Sequence, residues 1–412
     1  MRRVVVTGLG LLTPLGNDVA STWEGLIVGR SGIGAVTAFD ASDYECPIAG
    51  ELKDFQPERF VDAKLLRRID GSVALALAAV SEAAADSGLD FPAEEPDRVG
   101  VVLGTGIGGG HLIVENQRLL EEKGPRRVSP FLITQMLPDT ATGLVAIELG
   151  ARGPNMAITA ACATGGAAAG EAAKMVARGE AEVMICGGFE APLRPVFYAG
   201  FHAMRALAQH SDPERASRPF DAERNGFVVS EGAGILVLEA LDHALARGAH
   251  IYAEWKGAAS SNDAVDMVAT AEDGRGVAIA MEKSLQRAGL GYGEIDYINA
   301  HGPGTPLGDR AESHAIRSAF GEHAERLMVS STKSMIGHMM GAAGAVEAIV
   351  AVLACERGVV PPTINYEHPD PDCDLDYVPN EARSAEVRHA MSTSVGLGGH
   401  NSAIIFGRWE GE

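Results

Sequence analysis

The stretch NMAITAACATGGAAAGEAAKMVARGEAEVMICGG, residues 155–188, reads as a strand, a turn carrying Cys162, a long helix of small residues and another strand. A second stretch, LMVSSTKSMIGHMMGAAGAVEAIVAVLACERG at residues 327–358, has the same order of elements, with Lys333 and His338 in its turn. Such self-similarity indicates a duplicated structural unit. The strands are short apolar runs, which is typical of a sheet covered on both faces. We therefore predict an α/β fold of two βαβ-type halves, with the chemistry where the halves meet.

The segments upstream of both stretches repeat as well. An alanine-rich helix over residues 73–89 leads into the strand RVGVVLGTG, and the helix VAIAMEKSLQRAGL over residues 277–290 leads into EIDYINAHGPGT. Both helices end at a glycine, the usual helix stop. We predict an N-terminal half over residues 1–252 and a C-terminal half over residues 253–412. The more polar segments 40–63, 111–138 and 200–227 read as insertions that carry partner and substrate contacts.

Bulk composition restricts the class of protein. The chain has 412 residues, more than one hydrophobic core usually supports, and a net charge of -21 that argues against nucleic-acid binding. Its five cysteines form no CxxC pair, which indicates neither a zinc site nor a disulfide framework and favours the cytoplasm. Thr7 and Gly8 interrupt the apolar run after Met1-Arg2-Arg3, so we predict a buried first strand and no membrane segment.

Cys162 lies in TAACATGG, between a strand and a helix. A thiol at the N-terminal end of a helix feels the positive end of the macrodipole, which favours the thiolate. A buried core cysteine is the alternative for this segment. Cys186, inside the apolar run VMIC, is predicted to be a core residue.

Two histidines and two buried charges form the other candidates. His301 follows the strand IDYI and precedes a glycine-rich turn, and His338 lies at the start of a helix. Each is either catalytic or satisfied by the backbone of its turn. Lys333 and Glu347 stand among small and apolar residues, and because buried charges must pair, we predict a mutual ion pair.

Two glycine-rich loops are ambiguous. GTGIGG at residues 104–109 fits the GxGxxG pattern, but it is not followed by a clean helix with an acidic residue about 20 positions on, which argues against a dinucleotide site. We interpret its glycines as leaving room for an elongated substrate. TSVGLGGHN at residues 393–401 either offers backbone N–H groups to an oxyanion and moves, or is a tight turn.

Taken together, the motifs resemble the condensing enzymes of fatty-acid and polyketide synthesis, specifically the elongating β-ketoacyl-acyl-carrier-protein synthase II group. The resemblance spans essentially the whole chain and rests on VTGLGLLTPLGN, GPRRVSPF, the cysteine segment, SRPFDAERNGFVVSEGAGILVLE, HGPGTPLGD, SSTKSMIGHMMGAAGA, VPPTIN and GLGGHNSAIIF. It implies a thiolase-like fold of five αβαβα layers from two similar halves, assembled as a dimer.

The resemblance also implies a reaction. Cys162 would take an acyl chain from a carrier-protein thioester, and His301 and His338 would promote decarboxylation of malonyl-carrier protein. Lys333 and Glu347 belong to the same set, where we expect a structural ion pair rather than a direct role. The N–H groups of Cys162 and Leu397 would form the oxyanion hole, and no metal or organic cofactor is needed. Substrate-binding positions would be Ile107, Thr305, Leu397 and Gly398.

A basic surface is implied as well. Six residues resemble the positions at which the family receives its acidic carrier protein: Lys64, Arg67, Arg68, Arg126, Arg127 and Arg205. Local charge steers association, so such a patch is compatible with a net charge of -21. Solvated surface arginines are the alternative.

Several positions depart from the family pattern. Pro303 replaces a threonine that contacts pantetheine, Leu397 replaces the gating phenylalanine, His400 replaces a threonine, and Asp266 stands where histidine is frequent. These changes leave chain length open. They also keep a polyketide or polyene ketosynthase with a chain-length-factor partner possible, since Gln135 and Met136 lie in the insertion expected to reach across a dimer.

Other readings of the same fold are a non-elongating acyltransferase, a non-catalytic partner or a coenzyme A-dependent thiolase. A thiolase needs a second cysteine in a glycine-rich turn, whereas Cys355 lies in a helix and Cys373 in PDPDCDLD. A non-catalytic partner typically lacks the nucleophile. The intact set of Cys162, His301 and His338 favours catalysis, by a homodimer or by a heterodimer.

Overall fold

The computed structural model describes residues 1–210 and 212–411. The strands are β1 (Val4–Leu12), β2 (Gly34–Ala35), β3 (Ile48–Ala49), β4 (Val99–Gly104), β5 (Asn155–Ile158), β6 (Val183–Glu190), β7 (Gly232–Ala240), β8 (Ala253–Asn262), β9 (Tyr297–Asn299), β10 (Met328–Ser330), β11 (Val359–Val360), β12 (Arg383–Ser384), β13 (His389–Gly396) and β14 (His400–Arg408). The α-helices are α1 (Val19–Ile27), α2 (Ala63–Leu66), α3 (Gly71–Ser87), α4 (His111–Lys123), α5 (Leu132–Met136), α6 (Thr140–Leu149), α7 (Thr164–Arg178), α8 (Pro195–Ala203), α9 (Leu241–Ala246), α10 (Arg275–Ala288), α11 (Pro306–Phe320), α12 (Lys333–Ile336) and α13 (Ala343–Arg357). Short 3-10 helices lie at Pro57–Arg59, Phe91–Ala93, Pro96–Arg98, Pro125–Arg127, Pro213–Arg215, Tyr292–Glu294, Gly321–Arg326 and Met340–Ala342.

The main sheet consists of two halves with the same internal order. Within the described residues its ten strands run β5-β4-β6-β7-β1 in one half and β10-β9-β13-β14-β8 in the other. In each half the first two pairings are parallel and the next two are antiparallel. Residues 4–6 of β1 pair with residues 253–255 of β8 and join the halves. The duplication predicted from the sequence is confirmed, and β1 is buried along its whole length as predicted.

Helices cover both faces of each half. α3 packs on β1 and β7, α10 packs on β8 and β14, and α7 and α13 pack on each other between the two halves. The two central helices approach closely because their contact residues are small. A Cβ on Gly165 would lie 2.6 Å from the Ala345 nitrogen, and one on Gly344 would lie 2.7 Å from the Gly166 nitrogen. The result is the five-layered αβαβα arrangement expected of a thiolase-like fold.

The insertion after β4 differs from the prediction. We expected no clean helix after GTGIGG, but α4 begins at His111, directly behind it. Its apolar residues recur at helical spacing, with Leu112 and Ile113 one heptad before Leu119 and Leu120. Its buried residues, however, are the polar His111 and Asn116, while Ile113 and Leu120 are exposed. None of the helices in the described part of the chain is both long and apolar enough to cross a membrane.

A polar network behind β7 makes stability depend on pH. His243 contacts Glu239 at 2.7 Å and Glu94 at 3.0 Å, while Arg247 donates to Glu239 at 2.9 Å and Thr7 also binds Glu239. The hydrogen bond and charge of Glu239, aided by Glu94, raise the pKa of His243 above its ordinary value of 6.5, against the lowering effect of burial.

We expect His243→Gln to lower the thermal midpoint most at pH 5.5–6.5. A folded-state pKa above the unfolded one contributes stability that is complete below the unfolded pKa and is lost as pH rises through the folded pKa. The midpoint difference between the wild-type protein and the variant should therefore shrink toward pH 9, as followed by circular dichroism. A difference that grows with pH would contradict this assignment, and His314→Gln, at an exposed position on α11, is the control.

Candidate active site

Cys162 lies in a sharp turn between β5 and α7. Ala161, directly before it, has a left-handed backbone conformation with φ of 48°, and the Thr164 hydroxyl accepts the Ala160 N–H at 2.8 Å. Because α7 begins at Thr164, the turn holds the cysteine at the N-terminal end of the helix. This confirms the placement expected from TAACATGG and excludes the core alternative, since Cys162 is partly exposed.

The charge state of the thiol differs from the expectation. We expected the helix terminus to favour a thiolate, but burial raises the pKa of Cys162 to about 11, while Lys333 and the Leu397 N–H act in the lowering direction. Desolvation of a thiolate outweighs the helix end because loops from both halves cover the sulfur. Burial of the sulfur therefore favours the neutral thiol in the free protein.

His301 and His338 lie face to edge beside this cysteine. Their ring centroids are 5.2 Å apart with an interplanar angle of 82°, and both residues are buried. Burial, followed by the charge of Lys333, lowers the pKa of each histidine well below 6.5. The Nδ1 of His338 accepts the Met340 N–H at 3.3 Å, so the ring proton is on Nε2. Two neutral imidazoles thus adjoin the thiol, and one has a defined Nε2–H donor.

Lys333 and Glu347 form the predicted ion pair. Both side chains are about 1% exposed, and Nζ of Lys333 also donates to the His301 carbonyl at 2.6 Å. Burial raises the pKa of Glu347 to about 7, and the neighbouring Lys333 opposes that rise. The pair therefore positions the backbone of His301 and supplies positive charge near both imidazoles.

A second carboxylate, not predicted from the sequence, binds the backbone N–H of His301, whereas Lys333 binds its carbonyl. Glu312 accepts the N–H of His301 at 2.8 Å, the N–H of Gly302 at 2.7 Å and the hydroxyl of Thr393 at 2.7 Å. Asp309, one turn earlier on α11, accepts the Gly304 N–H at 3.0 Å. The sequence signal that could have predicted these contacts is the pair Asp309 and Glu312, three residues apart on a helix that directly follows a glycine-rich turn.

The GTGIGG loop binds a carboxylate of this chain. Glu190 at the end of β6 accepts the Thr105 hydroxyl and the Gly106 N–H at 2.6 Å each, and the N–H groups of Gly108 and Gly341 at 3.1 and 3.0 Å. The loop N–H groups that a phosphate would use are thus occupied. Gly106 brings the backbone close to Glu190, since a Cβ on it would lie 2.9 Å from the carboxylate. That the glycines of this loop leave room for substrate stays a prediction.

Glu190→Gln should lower the free energy of unfolding by about 3 kcal/mol. A neutral amide has one acceptor oxygen in place of two, and each buried N–H left unpaired costs about 1–3 kcal/mol. Chemical denaturation measures the loss, with Glu122→Gln on the exposed face of α4 as the matched control. Equal free energies of unfolding for the two variants would show that the hydrogen bonds of Glu190 to the N-terminal GTGIGG loop and to Gly341 of the C-terminal half do not stabilise the fold.

The loop after β13 reaches over the Cys162 backbone. A Cβ on Gly396 would lie 3.0 Å from the Cys162 nitrogen, so only glycine permits this approach. The neighbouring Leu397 N–H acts to lower the pKa of the Cys162 thiol. The N–H of Gly398 donates to the Met267 carbonyl at 2.9 Å, which ties this loop to the segment after β8.

Asp266, to which the sequence analysis gave no role, organises the segment after β8. Its carboxylate accepts the N–H groups of Val268 and Ala269 at 2.7 and 2.9 Å. Val268, Ala269 and Thr270 line the cavity above the thiol. Asp266 therefore shapes the mouth of the site without facing it.

One cavity of about 240 Å³ brings the predicted residues together. Its lining includes Cys162, His301, Pro303, Thr305, His338 and Leu397, together with Phe201, Met204, Ala206, Phe227, Val268, Ala269, Thr270, Val277, Leu307, Gly308, Ala311, Glu312, Met340, Val395 and Gly396. Thr305 accepts the Gly308 N–H at 3.2 Å as the N-cap of α11, which leaves its hydroxyl hydrogen available. The lining is mostly apolar, as an acyl chain and a pantetheine arm require.

Other predicted residues do not line this cavity. The Ile107 N–H donates to Glu190 at 3.1 Å, and Ile107, Gly398 and His400 are not among the described lining residues. Gln135 packs against Gly109 and accepts the Ser129 hydroxyl at 3.3 Å. Substrate contact by Ile107 and Gly398 stays a prediction.

The remaining cysteines are structural. Cys186, Cys355 and Cys373 are each 0% exposed, and none lines the cavity described above. The prediction that Cys186 is a core residue is confirmed. Neither Cys355 nor Cys373 is placed beside Cys162, where a thiolase would carry its second cysteine.

The six basic candidates are all exposed. Lys64 lies on α2, Arg67 and Arg68 follow it, and the Arg68 guanidinium sits 5.1 Å from the centre of the Phe131 ring. That contact brings the α2 segment next to the segment carrying Arg126 and Arg127. Arg205 stands between Met204 and Ala206, both of which line the cavity.

Comparisons with known sequences agree with this site. The chain matches the family described as beta-ketoacyl synthase, N-terminal domain, over residues 1–244 and its C-terminal domain over residues 252–367. It is 48% identical over 410 residues to 3-oxoacyl-acyl-carrier-protein synthase 2 of Synechocystis sp., covering 99% of each chain. It is 49% identical over 409 residues to the protein of the same name from Staphylococcus aureus strain COL, again covering 99% of each chain.

Solved structures show the same fold. A type II polyketide ketosynthase in complex with its acyl-carrier protein and bound to a hexaketide superposes with a TM-score of 0.91 at 35% identity, covering 99% of this chain and 100% of that one. The ishigamide ketosynthase/chain length factor gives 0.92 at 37% identity, with 99% of each chain covered. A beta-ketoacyl synthase from Burkholderia phymatum gives 0.91 at 34% identity, with 100% of each covered.

Proposed function

Because the chain belongs to the β-ketoacyl synthase family and is a condensing acyltransferase, we propose that Cys162, His301 and His338 carry its reaction. The reaction is decarboxylative condensation of malonyl-acyl-carrier protein with a thioester-bound acyl chain, which gives β-ketoacyl-acyl-carrier protein. The observation that supports these assignments is that one cavity is lined by all three side chains.

The first step transfers the acyl chain to Cys162. Its sulfur attacks the acyl thioester, the bond to the pantetheine sulfur breaks, and the thiol proton passes to that leaving sulfur. The negative charge on the carbonyl oxygen during attack is stabilised by the N–H groups of Cys162 and Leu397. Because the Cys162 thiol is neutral, with a pKa of about 11, proton loss accompanies attack rather than preceding it.

The second step removes carbon dioxide from the malonyl group. The bond to the malonyl carboxylate breaks, and its electron pair forms an enolate whose oxygen accepts hydrogen bonds from the Nε2–H groups of His301 and His338. The enolate carbon then attacks the acyl-Cys162 thioester. The Cys162 thiolate leaves, takes up a proton and restores the neutral thiol, while the product chain is longer by two carbons.

We also propose that the reaction needs neither a metal nor an organic cofactor. Two neutral imidazoles beside Lys333 supply the electrostatic stabilisation of the enolate, and loss of carbon dioxide supplies the driving force. A cytoplasmic location is likewise proposed. It is supported by the five cysteines, which are all free although a disulfide would stabilise a secreted protein.

A homodimer built on the β5 edge is part of the proposal. β5 is an edge strand of the main sheet, and Met156 on it is 39% exposed. Ile147 on α6 and Ile133 on α5 are 78% and 64% exposed. Such a row of exposed apolar side chains next to an open strand edge favours pairing with a second copy of the chain.

A polyketide pathway with a chain-length-factor partner is the second candidate. It is favoured by the similarity to the ishigamide ketosynthase/chain length factor and by Leu397 and Pro303, which differ from the family pattern. Native mass spectrometry together with an elongation assay separates the candidates. A dimer of two 43.0 kDa chains that is active by itself supports the homodimer, whereas a polyketide enzyme is inactive without its partner.

The proposed function is tested by product analysis. The purified protein, mixed with an acyl-carrier-protein thioester and malonyl-carrier protein, should form a β-ketoacyl product two carbons longer with one carbon dioxide released per condensation. Transfer of the acyl chain without release of carbon dioxide would identify a non-elongating acyltransferase and would contradict the proposal.

Carrier-protein docking at the basic surface predicts a charge effect. We expect Arg67→Glu to lower kcat/KM for acyl-carrier protein about tenfold at low salt, because reversed charge slows steered association. The same variant should react normally with an acyl-pantetheine thioester that lacks the protein. Arg275→Glu, exposed on α10, is the matched control, and an equal loss in both variants would remove the docking assignment.

A further inference from the structure

A second cavity lies between the two halves of the sheet, at the joint of β1 and β8. It has a volume of about 460 Å³. Its walls come from the start of β1, the last turns of α7 and α10, and the first residues of β8. No step of the condensation uses it.

The walls of this cavity are strongly basic. Among the described residues that line it, six are cationic and one, Glu254, is acidic. The cationic residues are Arg2, Arg3, Lys174, Arg178, Lys256 and Arg287. In a chain with a net charge of -21 this local excess is the reverse of the overall balance, and it marks a concave surface that attracts anions.

Five of the six cationic residues also form ion pairs with carboxylates of this chain. Arg2 pairs with Glu182 and Asp242 at 2.6 and 2.8 Å, and Arg178 pairs with Glu171 and Glu180 at 3.1 and 2.5 Å. Lys174 pairs with Glu171 at 3.2 Å, and Glu254, which lines the cavity, pairs with Arg3 and Lys256 at 2.9 and 3.1 Å. The other four carboxylates do not line the cavity, so six cationic side chains and one acidic side chain form its inner surface.

Arg287 retains donors that a ligand would use. Among residues 1–210 and 212–411, the hydrogen bond recorded for its guanidinium runs to the Ala258 carbonyl at 2.7 Å. A guanidinium has five N–H donors in a fork that matches phosphate oxygens. Helix C-termini favour cations, which explains a basic residue in the last turn of α10 but not the convergence of six on one cavity.

Trp255 gives the cavity an apolar wall. Its Nε1 is buried and finds no acceptor within the described residues, so the ring carbons are what a ligand would contact. Together with Ala258 and Ala288, this residue offers a surface for a planar or apolar group beside the cationic side chains.

The cavity is separate from the catalytic cavity. Cys162 precedes the first residue of α7, whereas Arg178 is its last residue. At about 1.5 Å per residue, the two ends of this 15-residue helix are about 22 Å apart. The lining residues of the two cavities do not overlap.

We propose that this cavity binds a small organic polyanion, a ligand that carries phosphate groups on a planar or apolar body. The phosphates contact Arg178, Arg287 and Lys256, and the body packs on Trp255. The volume is within the range of 300–1,000 Å³ typical of small-ligand sites, and a concave, partly apolar site favours a small ligand over a protein surface.

The test uses isothermal titration of the full-length protein with ATP, inorganic pyrophosphate and adenosine as probes. We expect ATP to bind once per chain, pyrophosphate to bind more weakly because it lacks the planar body, and adenosine not to bind. Arg287→Gln and Arg178→Gln should each weaken ATP binding about 10- to 100-fold, the loss expected of a charge-assisted hydrogen bond. Higher salt should weaken binding as well.

Two control variants on α10 separate a specific contact of Arg287 from a general effect of charge. Arg275→Gln removes a charge from the first turn of the same helix α10 and should leave ATP binding unchanged. Arg287→Lys keeps the charge and should retain most of the affinity. The proposal is overturned by the absence of saturable binding of ATP and pyrophosphate, by equal effects of Arg275→Gln and Arg287→Gln, or by binding that adenosine reproduces.

Discussion

Cys162→Ala is expected to lower the rate of chain elongation on the order of 10⁶-fold, the size of loss measured when a covalent nucleophile is removed from a serine protease. The alanine variant has no sulfur to accept the acyl chain, and no other cysteine lines the described part of the catalytic cavity. Elongation is measured as β-ketoacyl product formed from acyl- and malonyl-carrier protein, at saturating concentrations of both.

Loss of the thiol should not stop every partial reaction. His301 and His338 remain in the Cys162→Ala variant, so malonyl-carrier protein should still release carbon dioxide without condensation. Cys46→Ala, which removes a thiol that does not line the cavity, is the control and should elongate at the wild-type rate. Elongation by Cys162→Ala at more than a trace of that rate would contradict the assigned nucleophile.

His338→Ala should lower malonyl decarboxylation about 10²- to 10³-fold, the cost of removing one donor from an oxyanion site. His338 has the proton on Nε2, because its Nδ1 accepts the Met340 N–H, and in the proposed mechanism that donor stabilises the charge on the enolate oxygen. Release of carbon dioxide in the Cys162→Ala background isolates this step from acyl transfer.

The same histidine variant should still accept an acyl chain. In the proposed mechanism, attack by Cys162 uses the N–H groups of Cys162 and Leu397, so His338→Ala is expected to form the acyl-enzyme while decarboxylation fails. His314→Ala, exposed on α11, is the matched control for the loss of an imidazole. A His338 variant that decarboxylates normally and fails only in acylation would reverse the proposed division of labour.

Much of the fold is predictable because both halves show the same local sequence patterns. The helices α3 and α10 end at glycines, and α7 and α13 share a run of small residues between short apolar strands. The strand order was not predictable, since β1 and β8 pair by backbone hydrogen bonds between residues that are about 250 positions apart. α4 was missed although Leu112, Ile113, Leu119 and Leu120 recur at helical spacing, and Ile113 and Leu120 on it are exposed rather than in the core.

That Cys162, His301 and His338 line one cavity could be expected from the sequence, but the carboxylates that hold their loops could not. Cys162, His301 and His338 stand in recognisable turns. Glu190 accepts a backbone N–H from a loop 84 positions earlier, a partner that residue type does not reveal. Glu312 lies only 11 positions after His301, and its one signal was the pair of acidic residues on the helix behind the glycine-rich turn. The thiolate expectation failed for a related reason, since the helix end is local whereas burial of the thiol arises from both halves.

The central claim, that Cys162 holds the acyl chain, is tested most directly by mass spectrometry of the intact and protease-digested protein after mixing with acyl-carrier protein alone. The predicted result is one acyl group per chain, located on the peptide that contains Cys162 and absent from Cys162→Ala. An acyl group on Cys46 or any other residue, or one that persists in the alanine variant, would contradict the claim.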